Sequence, residues 1–180
     1  VLSEPGPGYV GGEAFFDSSG GLLRDVDLGE VDLLRSTHQP SPTGNVPPGL
    51  KRALCTFLVA ATTQVIRNPN EEGYAFLCHV SVNKRDHDHI VNLIDRFKED
   101  TVGIFNKPGS RQYEQLSECL KDGYADLAGT DPNLPPFDQI VVKIQFYLQG
   151  ATIRLVNATT NDEVKLDSVY NIFVGGNKLG

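Results

Sequence analysis

The sequence predicts an α+β fold in which a central buried helix, surrounded by other helices, is followed by a small antiparallel β segment. Three observations support this class. Helical periodicity fills the middle of the chain, one helix is apolar over about three turns, and β-branched and aromatic runs dominate the tail. The length of 180 residues and the 39% hydrophobic content fit a single domain at 1–180, either alone, as part of a longer chain, or completed by a partner chain.

The N-terminal third predicts mostly loop before the central helix. Residues 1–21 are rich in Gly and Pro, which indicates a loop with a short strand, and Glu30 to Thr37 has the apolar spacing of a short helix. Residues 38–49 carry four prolines and form a second loop. Leu50 to about Arg67 is the central helix, and Pro69 stops it because proline cannot continue a helix.

The next segment contains an ambiguous element and a second helix. Tyr74 to Val82 is typical either of a strand or of a buried helical turn, and periodicity alone does not separate the two. His89 to Phe97 has apolar residues at helical spacing. Asp86 or Asp88 would cap this helix, because short acidic side chains accept from free N–H groups at a helix start.

A third helix is predicted from Ser110 to Asp122. Ser110 is a favourable cap at its start, and Gly123 is a typical residue for its end. Asp131 to Phe137 is rich in proline and predicts a turn. Helices therefore occupy most of the middle of the chain.

The tail has the composition of β structure. Ile140 to Leu148 and Ala151 to Val156 are β-branched or aromatic runs, and they are joined by Gln149-Gly150, which is typical of a hairpin turn. Leu166 to Val174 predicts a third strand. We therefore expect an antiparallel segment here.

Composition excludes several classes of function. The net charge of −7 argues against broad binding to nucleic acid, which requires a basic surface. The chain has no apolar run long enough to span a membrane, so we expect a soluble protein, cytoplasmic or secreted. The three cysteines lack zinc spacing and are typical of buried apolar positions, although one disulfide between two of them stays open.

The strongest candidate site lies at the end of the central helix. Gln64 and Arg67 are three residues apart, so their side chains share one face of the helix. Burial of such groups without partners costs several kcal/mol. They must therefore either find hydrogen-bond partners within the fold or take part in binding or catalysis. The alternative is a structural helix end, in which Arg67 caps carbonyl groups or pairs with an acid.

A second polar motif, Asp86-His87-Asp88-His89, has the residue types of a metal site. It directly precedes the second helix, where acidic residues are favourable caps, and His79 is the only nearby third ligand. The motif therefore predicts a solvated helix start, with a metal-dependent hydrolase at Asp86–His89 as the less favoured alternative, and no metal or cofactor is predicted.

Several short blocks give the chain a resemblance to a known family. Gln64-Val65-Ile66-Arg67 stands at the positions of a Glu-Ala-x-Arg signature, and Leu23 to Gly29 resembles a Leu-Arg-x-x-x-Leu-Gly block. Gly11-Gly12 with Phe15-Phe16 resembles Gly-Gly-x-Tyr, and Tyr113 to Ser117 resembles Trp-x-x-Leu-Ser. In this order the blocks resemble the C-terminal two thirds of the ribosome-inactivating proteins, the rRNA N-glycosylases of plants and bacteria.

The resemblance implies a toxin of plant defence, a hydrolase that inhibits protein synthesis by removing an adenine from ribosomal RNA. Arg67 would donate to the leaving base, Phe15 or Phe16 would stack on it, and Tyr113 would back the pocket. Gln64 would occupy the position of the catalytic carboxylate. Because an amide carries no charge to stabilise the cationic transition state, the resemblance implies that activity is weakened or lost. Ribosomal RNA or adenine would be the partner, and a partner chain would supply the missing N-terminal sheet.

The alternative is a non-enzymatic interaction or structural protein, such as a viral or defence-related binding domain. The acidic composition and the β-rich tail favour it, and so does the missing carboxylate at Gln64. The two hypotheses differ in whether the chain binds an adenine or only another protein.

Overall fold

The computed structural model describes residues 23–35, 46–70, 73–81, 83–156 and 165–175. Over these residues the α+β class is confirmed, because helices predominate and a small sheet accompanies them. The helices are α1 (Leu28–Leu33), α2 (Pro48–Arg67), α3 (Lys84–Phe105), α4 (Arg111–Ala128) and α5 (Phe137–Leu148). The strands are β1 (Tyr74–Cys78), β2 (Thr152–Val156) and β3 (Tyr170–Gly175).

Helix α2 is the central helix that the sequence predicts. It begins at Pro48, where the missing N–H of proline costs nothing, and ends at Arg67, two residues before Pro69. It packs mainly on α4 and also on α5. Its buried side chains form one side of the core: Leu50, Leu54, Cys55, Leu58, Val59, Ala61, Thr62 and Thr63.

Helix α4 starts as predicted but continues past its predicted end. The Ser110 hydroxyl accepts from the Tyr113 N–H at 3.2 Å, so Ser110 is the cap. The prediction that Gly123 ends the helix is wrong. Gly123 is buried inside α4, where a Cβ atom would lie only 3.0 Å from Thr56 Cα of α2. This glycine serves close helix packing and does not terminate α4.

Helix α3 begins earlier than predicted. Its cap is Asn83, whose side chain accepts from the Arg85 N–H at 3.1 Å, so the prediction of Asp86 or Asp88 as the cap is wrong. Helix α1 likewise starts earlier, because Asp27 caps it by accepting from the Gly29 N–H at 2.7 Å. In both cases a short polar side chain just upstream supplies the acceptor.

The sheet is parallel, so the predicted antiparallel segment is wrong. Its strand order is β1-β3-β2, and β3 pairs in parallel with both neighbours. Tyr74 lies opposite Tyr170, and Ile153 lies opposite Ile172. The segment that was ambiguous in sequence, Tyr74–Cys78, is thus the edge strand β1. Strand β3 is buried along its whole length, as expected for the middle strand of a parallel sheet.

The predicted strand Ile140 to Leu148 is part of helix α5. Its buried residues Ile140, Ile144 and Leu148 recur every four positions, which is the helical period. The predicted hairpin turn is the end of this helix, where the Gly150 N–H donates to the Tyr147 carbonyl at 3.1 Å. The β-branched composition of the segment suggested a strand, but burial against α2 fixes it as a helix.

Strand β3 carries two buried polar residues, of which Asn171 bonds within the sheet and its preceding loop and Tyr170 contacts helix α2. Asn171 is fully buried, accepts from the Thr152 hydroxyl at 2.9 Å and donates to the Ser168 carbonyl at 2.6 Å. The Tyr170 hydroxyl lies 2.5 Å from the Thr62 hydroxyl of α2. Burial raises the pKa of Tyr170, so this hydroxyl stays neutral. The contact between Tyr170 and Thr62 links α2 to the sheet.

None of the described helices combines the length and the apolar character that crossing a membrane requires.

Candidate functional site

A cavity of about 240 Å³ lies between the end of α2, strand β1 and the turn that follows α4. We call it the Gln64 pocket. Its lining is mostly apolar, with a few polar groups, which is the usual composition of small-molecule sites. It is lined by Phe57, Ala60, Ala61, Thr63, Gln64, Tyr74, Ala75, Leu127, Asp131 and Leu134.

One face of α2 forms a wall of the pocket. Phe57, Ala60, Ala61 and Gln64 follow one another at intervals of one or three residues, so they lie along the same side of the helix. The two alanines leave space, and Phe57 presents an aromatic ring next to Phe76, with the ring centroids 5.4 Å apart. The helix therefore supplies an apolar wall that ends in the amide of Gln64.

Two adjacent threonines of α2 differ in their hydrogen bonding. The Thr62 hydroxyl donates to the Leu58 carbonyl one turn earlier at 2.6 Å and also meets Tyr170. Thr63 lines the pocket and is only 2% exposed, and its Oγ1 atom has no hydrogen-bond partner among the described residues. A buried hydroxyl without a partner costs about 1–3 kcal/mol. The pocket thus contains a buried hydroxyl group, that of Thr63, with no hydrogen bond to the described part of the chain.

The rim of the pocket is held by an ion pair. Arg67 donates from Nη1 to Asp131 Oδ2 at 2.5 Å and from Nη2 to Asp131 Oδ1 at 3.1 Å. Its Nη2 also donates to the Asn133 carbonyl at 2.6 Å. These bonds from Arg67, with a backbone bond from Asn133, lower the pKa of Asp131, and the same pair raises the pKa of Arg67. Both groups are therefore charged and engaged with each other near neutral pH.

The structure places the predicted site residues in different regions. Gln64 lines the pocket, and Arg67 holds its rim by pairing with an acid, which was the structural alternative for this residue. Tyr113 lies near the start of α4, with its ring 6.4 Å from that of Phe105. It precedes Leu127 of the pocket by about 21 Å of helix, so it does not back Gln64. Phe15 and Phe16 lie outside the described residues.

Sequence reasoning missed the polar residues that complete the pocket. Asp131 is far from Arg67 along the chain, and only the return of the turn after α4 brings it to the end of α2. Tyr74 is contributed by β1. Thr63 is adjacent to Gln64, but nothing in the local sequence distinguishes its hydroxyl from that of Thr62.

Asp86 and His87 of the polar motif lie in the first turn of α3 and form, with His79 and Ser81, a closed group that we call the histidine cluster. The Ser81 hydroxyl donates to Asp86 Oδ2 at 2.7 Å, and His87 Nε2 lies 2.6 Å from the Ser81 carbonyl. His79 Nδ1 lies 2.7 Å from the Gly175 carbonyl at the end of β3. Across the described part of the chain, no three His, Cys, Asp or Glu side chains are placed together as metal ligands.

A wider cleft of about 660 Å³ opens beside the Gln64 pocket and shares Phe57 and Leu127 with it. Its charged groups are of both signs. Arg24 donates from Nε to Asp126 at 2.9 Å across this cleft. Because Arg24 and Asp126 are already paired with each other, the cleft offers a weaker case for a ligand than the Gln64 pocket does.

The family model of the Z1 domain matches residues 49–180, which is more than half of the chain. The chain belongs to the Z1 domain family. No curated protein and no solved structure matches it significantly. The matched range runs from the first turn of α2 to β3, so every described residue of the Gln64 pocket lies within the Z1 domain. That residues 1–180 form one domain stays a prediction.

The predicted membership of the ribosome-inactivating proteins is wrong, because the matching family is the Z1 domain. The blocks that suggested it are short, and each of them fits many unrelated sequences. Tyr113 also lies away from Gln64, whereas the resemblance requires both at one pocket. The reason for placing Gln64 at a carboxylate position is therefore lost, and so is the reason to expect ribosomal RNA as a partner.

Proposed function

We propose that this Z1 domain is a non-enzymatic interaction module whose Gln64 pocket binds a neutral, flat and mostly apolar small molecule. The bound group presents a hydrogen-bonding edge, as in an aromatic amide or a nucleobase, to the Thr63 hydroxyl and the Gln64 amide. Its apolar body lies against Phe57 and Leu127. The proposal keeps the non-enzymatic character of the second hypothesis but replaces its protein partner with a small molecule.

The observation that carries the proposal is the Thr63 hydroxyl. It is buried, lines the cavity and has no partner among the described residues, while the neighbouring Thr62 is fully engaged. Buried polar groups in folded proteins nearly always have partners, and the exceptions concentrate at functional sites. A ligand that donates to or accepts from Thr63 Oγ1 would satisfy it.

The charges at the pocket favour a neutral ligand. Among the described residues that line it there is neither a lysine nor an arginine, and the one carboxylate among them, Asp131, is already paired with Arg67. An anion would find the cation at the rim, Arg67, already engaged by Asp131. A cation would have to compete with the bidentate bonds of Arg67. Affinity therefore comes from apolar burial, and orientation comes from one or two hydrogen bonds.

The described lining offers few groups for acid–base chemistry. Asp131 is the only carboxylate among the described lining residues, and no histidine is among them. Because the bonds from Arg67 and Asn133 lower its pKa, Asp131 stays ionised and does not donate a proton near neutral pH. Binding without turnover is the function that this arrangement supports.

Titration of the isotope-labelled chain with benzamide, adenine and benzoate, followed by NMR of the backbone amides, tests the proposal. Benzamide and adenine are expected to shift the signals of Thr63, Gln64 and Ala75, whereas the anionic benzoate is expected to leave them unchanged. Thr63→Val should weaken benzamide binding roughly fivefold to tenfold, because one hydrogen bond is lost. Thr63→Ser, which keeps the hydroxyl, should bind like the wild type.

Two results would contradict the proposal. Equal binding of benzamide and benzoate would show that the pocket does not select neutral ligands. Equal affinity of Thr63→Val and Thr63→Ser for benzamide would show that the hydroxyl is not part of the site. The unfolding curves of both variants serve as the folding control.

A partner chain that completes the fold is also retained as a proposal. Val142 and Phe146 lie one turn apart on α5 and are 66% and 74% exposed, so a partner could cover them. Sedimentation of the wild type and of Phe146→Glu tests this. An assembled wild type and a monomeric variant would support a partner at this face, whereas identical monomers would contradict self-association through α5.

We further propose that the domain acts in aqueous solution, either in the cytoplasm or after secretion. Charged residues make up 22% of the chain and its net charge is −7, which favours solubility. Fractionation of cells that produce the tagged chain would distinguish the two locations.

A further inference from the structure

Two of the three cysteines meet where α2 and α4 cross. Cys55 of α2 is fully buried, and Cys119 of α4 is half-buried. The Cys119 Sγ atom lies 3.9 Å from the Lys51 carbonyl, which belongs to the turn of α2 just before Cys55. Both cysteines are free thiols in this structure.

The crossing point is unusually close because a glycine occupies it. A Cβ atom at Gly123 would lie 3.0 Å from Thr56 Cα. Thr56 follows Cys55 in α2, and Gly123 lies one turn after Cys119 in α4. This close approach of the two backbones therefore lies next to the cysteine pair. A disulfide requires such an approach, since it joins Cα atoms only about 4.4–6.8 Å apart.

The surroundings give the two thiols different chemistry. The pKa of Cys119 is lowered, first by a hydrogen bond from Cys55 and then by the positive charges of Lys51 and Arg52, against the opposing effects of burial and Asp122. The pKa of Cys55 is raised by its interaction with Cys119 and by burial. Cys119 is therefore the thiol that ionises first, and it is also the one that solvent reaches.

Cys78 provides an internal comparison. It lies at the end of β1, is 5% exposed, and its pKa is raised to about 11 by burial. A buried thiol with a raised pKa reacts slowly with oxidants. The pair at the helix crossing thus differs from Cys78 in both access and ionisation.

We propose that Cys55 and Cys119 are a reversible oxidation site, at which a peroxide converts the two thiols into a disulfide that links α2 to α4. Cys119 reacts with the peroxide, and Cys55 resolves the product. This site is separate from the Gln64 pocket, and the proposal does not depend on the ligand proposed there.

With hydrogen peroxide as the oxidant, the steps balance. The Cys119 thiolate attacks one peroxide oxygen, the O–O bond breaks, and the released hydroxide takes a proton to form water. Cys119 is then a sulfenic acid. The Cys55 sulfur attacks the Cys119 sulfur, its proton leaves with the hydroxyl group as a second water, and the S–S bond forms. Two thiols are oxidised and one peroxide is reduced to two waters.

The Cys55–Cys119 disulfide would stabilise the packing of α2 on α4, the two helices that contribute walls to the Gln64 pocket. It closes the chain between residues 55 and 119, which removes conformational freedom from the unfolded state. Both linked helices contribute walls to the Gln64 pocket, α2 through Phe57 and α4 through Leu127. We expect oxidation to raise the midpoint temperature of unfolding by roughly 5–15 °C.

Treatment of the folded chain with hydrogen peroxide, followed by alkylation of free thiols and peptide mapping by mass spectrometry, tests the proposal. The expected product has a 55–119 link and one alkylated thiol, at Cys78, and a dithiol reductant restores three free thiols. Cys119→Ala should leave Cys55 and Cys78 reduced under the same treatment. Cys55→Ala should accumulate sulfenic acid at Cys119, which a dimedone probe captures.

Cys78→Ala is the matched control and should form the link at the wild-type rate. A wild-type chain in which Cys119 is oxidised to sulfinic or sulfonic acid without a link would overturn the proposal, because Cys55 would then not resolve. A link that contains Cys78 would also overturn it. Since peptide mapping uses the wild-type chain, the test stands even if Cys55→Ala fails to fold.

Discussion

The Gln64 pocket and the histidine cluster both contain buried polar side chains, but they differ in whether those side chains have hydrogen-bond partners. In the cluster, Asp86 accepts from Ser81, and His87 lies within hydrogen-bonding distance of the Ser81 carbonyl. In the pocket, Thr63 is equally buried, yet its hydroxyl has no partner among the described residues. The motif with the residue types of a metal site, which the sequence predicts to be a solvated helix start, is the one in which the fold buries and pairs Asp86 and His87.

The difference shows how a buried polar group that stabilises the fold is distinguished from one that is available to bind a ligand. A buried group with partners contributes to the folded state, and its removal leaves those partners unsatisfied. A buried group without partners only costs free energy unless a ligand satisfies it. Residue type and spacing do not reveal which case applies, whereas the hydrogen-bond partners do.

The largest expected effect concerns the histidine cluster. Asp86→Ala should lower the free energy of unfolding by about 2–3 kcal/mol, because Ser81 loses its acceptor and a buried space is left. Urea unfolding measures this change. Binding of benzamide by the folded fraction should be unaltered, since the cluster is not part of the Gln64 pocket.

Asp88→Ala is the matched control for Asp86→Ala, because Asp88 is exposed in the same turn of α3. Its effect should stay within about 0.5 kcal/mol. Equal destabilisation by the two variants would show that helix-end charge, and not the buried bond to Ser81, is responsible. A loss of benzamide binding in Asp86→Ala would remove the separation between the two regions.

The adjacent threonines of α2 give the next largest effect. Thr62→Val should lower the free energy of unfolding by about 1–2 kcal/mol, because the buried Tyr170 hydroxyl loses its partner. Thr63→Val should leave stability unchanged or raise it by up to about 1 kcal/mol, because a buried hydroxyl without a partner is removed. Urea unfolding of the two variants in the absence of ligand measures both.

Thr62 and Thr63 control for each other, since the substitution, the helix and the degree of burial are the same. If both variants lose the same stability, then Thr63 has a partner in the folded chain. The argument that its hydroxyl is reserved for a ligand would then fail.

A smaller effect is expected where α4 packs on α2 below the pocket. Gly123→Ala should lower the free energy of unfolding by about 1 kcal/mol, because its Cβ would press on the Thr56 backbone and outweigh the better helix propensity of alanine. It should also weaken benzamide binding, since Leu127 lies one turn further along α4. Thermal unfolding and the NMR titration measure the two effects.

Gly103→Ala is the control for Gly123→Ala. Gly103 lies in α3, is exposed, and has open space around the position of a Cβ atom. The substitution should raise the free energy of unfolding by roughly 0.5–1 kcal/mol. A stabilising Gly123→Ala would mean that the two helices separate readily, and that the close crossing is not required.

Elements that a local sequence signal defines could be predicted, whereas elements that depend on packing could not. Helix α2 was predicted almost to the residue, because its apolar length and Pro69 both act locally. Helix α5 was predicted as a strand, because Val141, Val142 and their neighbours favour β structure and only packing selects the helix. Gly123 was interpreted as a helix end because capping and packing glycines look alike in sequence.

The site was predictable to a similar extent. The position of Gln64 at the end of a buried helix predicts a site residue, and in the structure Gln64 lines a pocket; its role as a site residue stays a prediction. The ion pair that holds the rim joins Arg67 to Asp131 across a large separation in the chain, so no local pattern could indicate it. The predicted family is wrong, because short sequence blocks do not show whether their residues lie close together in the fold.

The rim ion pair gives the smallest predicted effect, and it depends on pH. Because Arg67 lowers the pKa of Asp131 below its ordinary value of 3.8, the pair adds stability above that value and loses it as the pH falls through the lowered pKa. Between pH 7 and pH 5 we therefore expect constant benzamide affinity and a constant difference in unfolding midpoint between the wild type and Asp131→Asn. Below about pH 4 this difference should shrink.

NMR titration of the Asp131 carboxyl group measures the pKa directly, and Arg67→Gln is its control. Without the guanidinium, the pKa of Asp131 should move up towards 3.8, because the hydrogen bonds that favour the carboxylate are removed. An unchanged pKa in Arg67→Gln would mean that Arg67 does not set the charge at the rim. The argument that Asp131 is already occupied, and that the pocket therefore selects neutral ligands, would then have to be abandoned.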